Sequence, residues 1–342
     1  MFKKQLLLIL FFNICNIIFA NDNEYYEFKK ILLKYNITVN NENYEETYDN
    51  YLTNYFNLAD YMKDLKYDVN YELNDFALMS NEEFKFFYMH NYEQSNNSRR
   101  LRGHHKFYHN SNNENLHKKV DWSIQFYLSP IMKQDKNAFS WAYGLVDVIQ
   151  SVYAILQDDY HYLDLSIQEL IDCSSHKGDD NLMDNINNGY EYIIEHGLSL
   201  EHNYPFEGFV NQCRKYHEPF YYIGDYHIIP ENNEKELMYV LSNHPVLVNI
   251  QASMPYFRFY KSGIIRANQF KNCGENIDHS VLLVGYGEEK DGTKYWILKN
   301  SWGSDWGEDG YFRLERGVNV NNGGTCGILK HCTYPIFDFI QN

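Results

Sequence analysis

Apolar residues recur at three- and four-residue steps along Leu145, Val148, Ile149, Val152 and Ile155, which predicts a helix opening near Ser140. A second helix is expected over Glu45–Leu65, a polar stretch with helical spacing and no Pro or Gly. Ser80 followed by Asn81-Glu82-Glu83 marks a further helix start, since a Ser cap and early acids suit the free amides of a first turn. Later in the chain the pattern shortens to β-branched or aromatic runs bounded by glycine. Val246-Leu247-Val248-Asn249-Ile250, Val281 to Tyr286 and Tyr295-Trp296-Ile297-Leu298-Lys299 read as strands. Gly285-Tyr286-Gly287 followed by Asp291-Gly292 places a hairpin between the last two. Residues 93–117 are rich in Asn, Ser, His, Arg and Lys with almost no aliphatics, the pattern of an exposed linker. Within it, Ser98-Arg99-Arg100-Leu101-Arg102 is a candidate processing site, and a solvated basic loop explains it equally well.

The first twenty residues read as a secretory signal. Phe2-Lys3-Lys4 is basic, Leu6 to Phe12 is apolar, and Ala20 supplies the small residue that cleavage prefers. A membrane anchor is the rival, but Asn13 and Asn16 interrupt the run and a span needs about 18 apolar residues. No membrane span is expected after signal cleavage. The chain has 342 residues and a formal charge of −16, which disfavours nucleic acid as a partner. Asn36-Ile37-Thr38 and Asn96-Asn97-Ser98 fit the N-glycosylation pattern. Cys15 leaves with the signal, and secretion makes disulfides possible among Cys173, Cys213, Cys273, Cys326 and Cys332, with partners that spacing alone does not assign. His104-His105 and His109 space loosely like metal ligands but lack a second ligand pair, so neither metal nor cofactor is expected.

Three motifs together resemble the papain-family cysteine proteases of cathepsin-like type. They are Lys136-Asn137-Ala138-Phe139-Ser140-Trp141-Ala142, then Asp278-His279-Ser280, then Lys299-Asn300-Ser301-Trp302-Gly303. The stretch Leu73-Asn74-Asp75-Phe76-Ala77-Leu78-Met79-Ser80-Asn81-Glu82-Glu83-Phe84 is similar to that family's inhibitory propeptide. In the longer helix before it, Glu46 and Asn57 fit the propeptide signature, whereas Asn50 and Asn54 stand where Arg and Phe are usual. The resemblance implies an α+β, two-lobed fold: signal 1–20, propeptide and linker 21–117, and a peptidase domain 118–342 with a helical lobe to about 217 and a barrel-like lobe over about 218–338. It also implies the pairs Cys173–Cys213 and Cys273–Cys326, leaving Cys332 unpaired.

Thiol proteases rely on a Cys whose pKa is lowered from about 8.5 to roughly 3–4 by an imidazolium and a helix N-terminus, as in papain. By resemblance His279 is the acid/base, inside the ~130–150 residue window after the nucleophile. Asn300 is its orienter, Gln134 the oxyanion-hole side chain, and Trp302 and Trp306 the shield of the His–Asn pair. The nucleophile position itself holds Ser140. A hydroxyl forms no persistent anion, yet it can attack if a base removes its proton. A misplacement of about 1 Å can cost ~100-fold. Ser is also a favoured helix N-cap, which offers Ser140 an inert structural role.

Further departures accompany the replacement. Asn137 stands where the family has a Cys, and Lys177-Gly178-Asp179-Asp180-Asn181-Leu182-Met183-Asp184 replaces a Gly-Cys-x-Gly-Gly segment. Ala138-Phe139 stands for the usual Gly-Ser. The expectation is a secreted or lysosome-like peptidase homologue that is catalytically inactive and binds a peptide or protein in its cleft as a decoy or modulator. Its own propeptide and protease inhibitors are the other expected partners. The alternative is a weak serine-type hydrolase using Ser140, His279 and Asn300. A third reading is an active protease that uses the thiol of Cys332.

Overall fold

A computed structural model describes residues 23–90, 116–161, 163–174, 181–214, 221–318 and 323–338. The described residues form two compact units: residues up to 66 with 71–84, and residues 67–70 with those from 85 onward. The signal reading, most of the linker, the candidate processing site and the His104–His109 cluster lie outside the described residues. In chain order the elements are α1 (23–34), α2 (Tyr44–Lys63), β1 (Val69–Tyr71), α3 (Asn81–Tyr88), β2 (Val120–Asp121), α4 (Ser140–Gln157), α5 (Ile167–Cys173) and α6 (Leu182–His196). Then come β3 (Asp225–Ile229), α7 (Glu234–Leu241), β4 (Val246–Ile250), β5 (Tyr260–Ile265), β6 (His279–Glu288), β7 (Lys294–Lys299), β8 (Tyr311–Glu315) and β9 (Cys332–Ile336).

In the first unit, Phe28 of α1 packs against Tyr44, Tyr48 and Tyr51 of α2. Asn54, buried on α2, donates from Nδ2 to the carbonyls of Ala77 and Met79 at 2.9 and 3.0 Å. A polar amide thus ties the helix to the following turn by hydrogen bonds. Ser80 and Glu83 form a reciprocal capping box: Glu83 N–H donates to Ser80 Oγ, and Ser80 N–H to the Glu83 carboxylate.

The second unit is built on one mainly antiparallel sheet in the order β1-β5-β8-β7-β6-β4-β9-β3, with β2 added alongside β6 and with β5 and β8 parallel. All three runs read as strands lie at its centre, and β6 and β7 form the expected hairpin, closed by Glu289 N–H to Thr293 O with Gly292 at φ +88°. Strand β6 has neighbours along both edges and is buried from His279 to Gly287.

Helix α4 lies on this sheet and is buried almost all round, which accounts for its dense apolar content. Gly144 allows the close approach: a Cβ there would sit 2.6 Å from Leu247 Cδ1 and 3.3 Å from Ser280 Cβ. On the other side, Gly189 of α6 admits Leu145 and Trp141. Side-chain caps start the two shorter helices, Ser166 for α5 and Asn181 for α6. Disulfides join Cys173 to Cys213 and Cys273 to Cys326, and Cys332 is a buried free thiol.

One ion pair runs through the core. Lys299 Nζ donates to Asp147 Oδ1 and to Ser129 Oγ, each at 2.7 Å, and Ser129 Oγ donates to the same carboxylate at 2.7 Å. Burial lowers the Lys299 pKa while Asp147 opposes that shift. Breaking such a pair from one side strands the other charge, at a cost of about 3–5 kcal/mol. Lys299→Met is therefore expected to lower the denaturant midpoint strongly, and the double change Lys299→Met with Asp147→Leu to recover much of the loss. A double variant no more stable than the single one would contradict this.

Candidate active site

Ser140 is the first residue of α4, completely buried, and it is not the N-cap. Phe139 takes that place with no side-chain cap, which corrects the N-cap expectation. The Ser140 hydroxyl instead accepts a hydrogen bond from the backbone N–H of Ser280 at 3.2 Å. The sheet explains why. Strand β6 pairs with β4 over 279–283, but with β7 only from Leu282, so the edge facing α4 is open at Ser280. A buried N–H there needs an acceptor, and the hydroxyl supplies it.

His279 opens β6, and Asn300 follows the last residue of β7. The ladder pairs Leu282 with Lys299, bringing the two side chains together. His279 Nε2 lies 2.9 Å from Asn300 Oδ1. The same oxygen accepts from Ser301 N–H at 2.9 Å, and a backbone N–H can only donate. The Asn300 amide orientation is therefore settled, and Nε2 of His279 must carry the proton. Its Nδ1 is left as a lone pair, buried and without a hydrogen-bond partner among the described residues. Burial pushes the His279 pKa down to about 4, against a smaller upward pull from Asn300. Trp302 lies over the ring, centroids 5.0 Å apart, and Trp306 and Phe257 complete the apolar wall.

Gln134 is buried and tied to the same corner. Its N–H donates to Ser301 O, and Ser301 Oγ donates to its Oε1, both at 2.7 Å. With Oε1 occupied, Nε2 points toward the start of α4 and donates to Asn137 O at 3.0 Å. The four sequence-predicted residues thus lie along one run of contacts and chain neighbours, from Ser140 through Ser280 and His279 to Asn300, then Ser301, Gln134 and Asn137. Asn137 is buried beside Gly208. Of the segment that replaces the Gly-Cys-x-Gly-Gly stretch, residues 177–180 lie outside the described residues, and Asn181 caps α6.

Sequence reasoning missed two features. Asp278 accepts from the amides of Ala252 and Ser253, and burial raises its pKa to about 7. Its backbone carbonyl accepts from His90 N–H at 3.0 Å, so residues 85–90 reach the edge of the site, with Tyr88 and Met89 buried and Phe87 under the Lys136 ammonium. Behind Ser140, Ser280 Oγ donates to Asn249 Oδ1 at 2.6 Å, and Asn249 Nδ2 donates to His331 Nδ1 and O at 3.1 Å. The signal was present, since Asn249 is the lone polar residue in Val-Leu-Val-Asn-Ile.

Cys332 is withdrawn as a nucleophile. It is buried on β9 with Sγ directed at Ile328 O, and burial pushes its thiol far above the ordinary value. A thiol that stays protonated does not attack. Among the described residues, no three His, Cys, Asp or Glu side chains could hold a metal, and no helix is long and apolar enough to cross a membrane.

Ser140→Ala removes the only acceptor described for the Ser280 amide and is expected to destabilise the protein by about 1–3 kcal/mol, read by chemical denaturation. An unchanged midpoint would remove the hydroxyl's structural role. Ring NMR is expected to show His279 neutral and protonated at Nε2 down to about pH 5. The sign for stability follows. The unfolded histidine takes a proton near 6.5 and the folded one only near about 4, so its contribution is complete above 6.5 and is lost as pH falls through that window. Asp278 acts oppositely, its contribution lost as pH rises through about 7. A His279 ring charged at pH 6 would contradict the assignment.

The sequence pattern of the papain family cysteine proteases matches residues 116–336. The senescence-specific cysteine protease SAG39 of Oryza sativa subsp. japonica is 33% identical over 268 residues, covering 77% of this chain and 76% of its own. Among solved structures, the proform of the ragweed pollen allergen Amb a 11, a cysteine protease, superposes with a TM-score of 0.79 at 26% identity, covering 94% of this chain and 96% of its own. The bromelain protease of Ananas comosus, in complex with the E64 inhibitor, has a TM-score of 0.58 at 31% identity, covering 65% of this chain and all of its own. With its mainly antiparallel sheet, buried α4 and His279–Asn300 pair, the chain belongs to the papain family of cysteine proteases.

Proposed function

We propose that this is a secreted or lysosome-like papain-family homologue in which Ser140 occupies the nucleophile position, the site is catalytically silent, and the cleft acts by binding a peptide or protein as a decoy or modulator. The observation that carries this reading is the pair of hydrogen-bond states at the site. The Ser140 hydroxyl accepts from the Ser280 amide, while His279 Nδ1 has no partner among the described residues. A hydroxyl needs a base aligned on its proton at the moment of attack. A cysteine would need less, because its thiolate forms ahead of the reaction. With no thiolate to pair with, burial keeps His279 neutral, and the acid that a leaving amine requires is not stored in the resting site.

In this reading His279, Asn300 and Gln134 retain the places of the acid/base, its orienter and the oxyanion-hole donor. Residues 21–117 act as the propeptide. The His90–Asp278 main-chain hydrogen bond supports the chain's own propeptide as one occupant of the cleft, and the proform of Amb a 11 is a likeness in the same direction. The E64 complex of the bromelain relative supports small inhibitors as another class of cleft ligand.

A second reading is favoured by one observation. A neutral His279 with its proton on Nε2 and a free lone pair on Nδ1 is the resting state that a serine-type base requires. Rotation of the Ser140 hydroxyl away from Ser280 would then give a weak hydrolase.

The test compares the mature protein with its Ser140→Cys form on a broad set of fluorogenic peptides from acid to neutral pH. The Ser140→Cys form is expected to cleave, with kcat/KM at least about 100-fold above the native form. If neither cleaves, the cleft wall and not the nucleophile is at fault, and binding moves away from the old site. Cleavage by the native protein that disappears in His279→Ala would establish the serine-type reading instead.

A further inference from the structure

Helix α1 is two-faced. Phe28, Ile31 and Leu32 are buried, whereas Tyr26 and Leu33, seven residues apart and so on one stripe, are 66% and 82% exposed. Two residues past the helix, Asn36 has φ +52°. Asn36 N–H donates to Leu33 O at 3.2 Å and Ile37 N–H to Leu32 O at 2.8 Å. These are the two hydrogen bonds of a Schellman stop, with Asn36 as its left-handed residue. Asn is one of the few residues that accept this conformation without strain, so the cap alone explains an asparagine here. It does not explain Thr38, which takes no part in the turn. Asn36 and Thr38 are both exposed, with Ile37 half-buried between them. The turn therefore presents an Asn-x-Thr acceptor outward, beside an apolar stripe that no described residue covers, at a helix end already satisfied by main-chain bonds. Asn96, in the other such motif, lies outside the described residues. No third Asn-x-Ser/Thr motif occurs in residues 118–342.

We propose that Asn36 carries an N-linked oligosaccharide, which lies over the Leu33–Tyr26 stripe and marks the first unit of the chain. The inference rests on the secretory reading, since the donor is a lipid-diphosphate-linked oligosaccharide in the secretory lumen. In the transfer, Asn36 Nδ2 bonds to C1 of the first N-acetylglucosamine and loses a proton. The C1–O bond breaks, and the lipid diphosphate leaves. Because both motifs precede residue 99, a chain cleaved in the linker after Ser98 sheds every such glycan, so glycan content reports whether the first unit is still attached.

The experiment expresses the full chain in a eukaryotic secretory host with Asn96→Gln, so that only Asn36 can respond. The expected result is an intact mass one glycan above that of the polypeptide, removed by peptide N-glycosidase with Asp left at position 36. Thr38→Ala, which leaves the turn untouched, and Asn36→Gly, which keeps the left-handed residue, are both expected to abolish the shift without loss of secretion. Secreted protein at the bare polypeptide mass overturns the proposal. Failure of the chain's own leader to direct secretion counts against the secretory reading alone. A supplied leader then delivers the chain to the lumen, where an unshifted mass still overturns the glycan.

Discussion

The approach of α4 to β6 at Gly144 is the contact on which the site depends. With no side chain at that turn, the helix settles close enough for its first residue to meet the strand's open edge. Ser140 Oγ can then reach the Ser280 amide. One turn further along the same helix face, Asp147 meets Lys299, whose neighbour is Asn300. The helix start, the histidine strand and the asparagine strand are thus held by one packed seam and one buried charge pair.

That seam gives the Ser140 hydroxyl a dual character. In a thiol protease the first helical residue stores an anion, and the helix dipole and an imidazolium stabilise it. A hydroxyl offers no anion to store, so the helix N-terminus has nothing to stabilise in the resting state. The hydroxyl is a better hydrogen-bond acceptor than a thiol, and the strand edge beside it presents an amide in need of one. Satisfying that amide turns the hydroxyl's lone pair away from solvent. Buried, and with no charged partner beside it among the described residues, the His279 ring stays neutral, because burial outweighs the upward pull of Asn300.

The polar groups behind Ser140 extend this logic. Ser280, Asn249 and His331 link β6, β4 and the start of β9 by side-chain hydrogen bonds inside an otherwise apolar layer. Each buried polar atom there is matched, as a low-dielectric interior demands. In the first unit, Asn54 plays a comparable part, with two hydrogen bonds to carbonyls. Asn54 and Asn249 thus sit in apolar surroundings because each amide finds main-chain or side-chain partners.

Local pattern alone determined the elements that carry the chemistry. The three-and-four spacing after Ser140 marked α4, the β-branched runs marked β4, β6 and β7, and the glycines after Val284 marked their hairpin, because periodicity and turn chemistry act over a few residues. The order of Gln134, Ser140, His279 and Asn300 was likewise legible, through motifs that span only neighbouring positions. What tertiary structure decided was where each hydrogen bond goes. The cap reading of Ser140 failed because an amide distant in sequence competes for its hydroxyl, and that amide is free only where the β6–β7 register leaves the strand edge open. The neutrality of His279 and the inertness of Cys332 follow from burial, a property of the packed whole. Local sequence sets which groups are present, and long-range packing sets which of them meet and how much water remains between them.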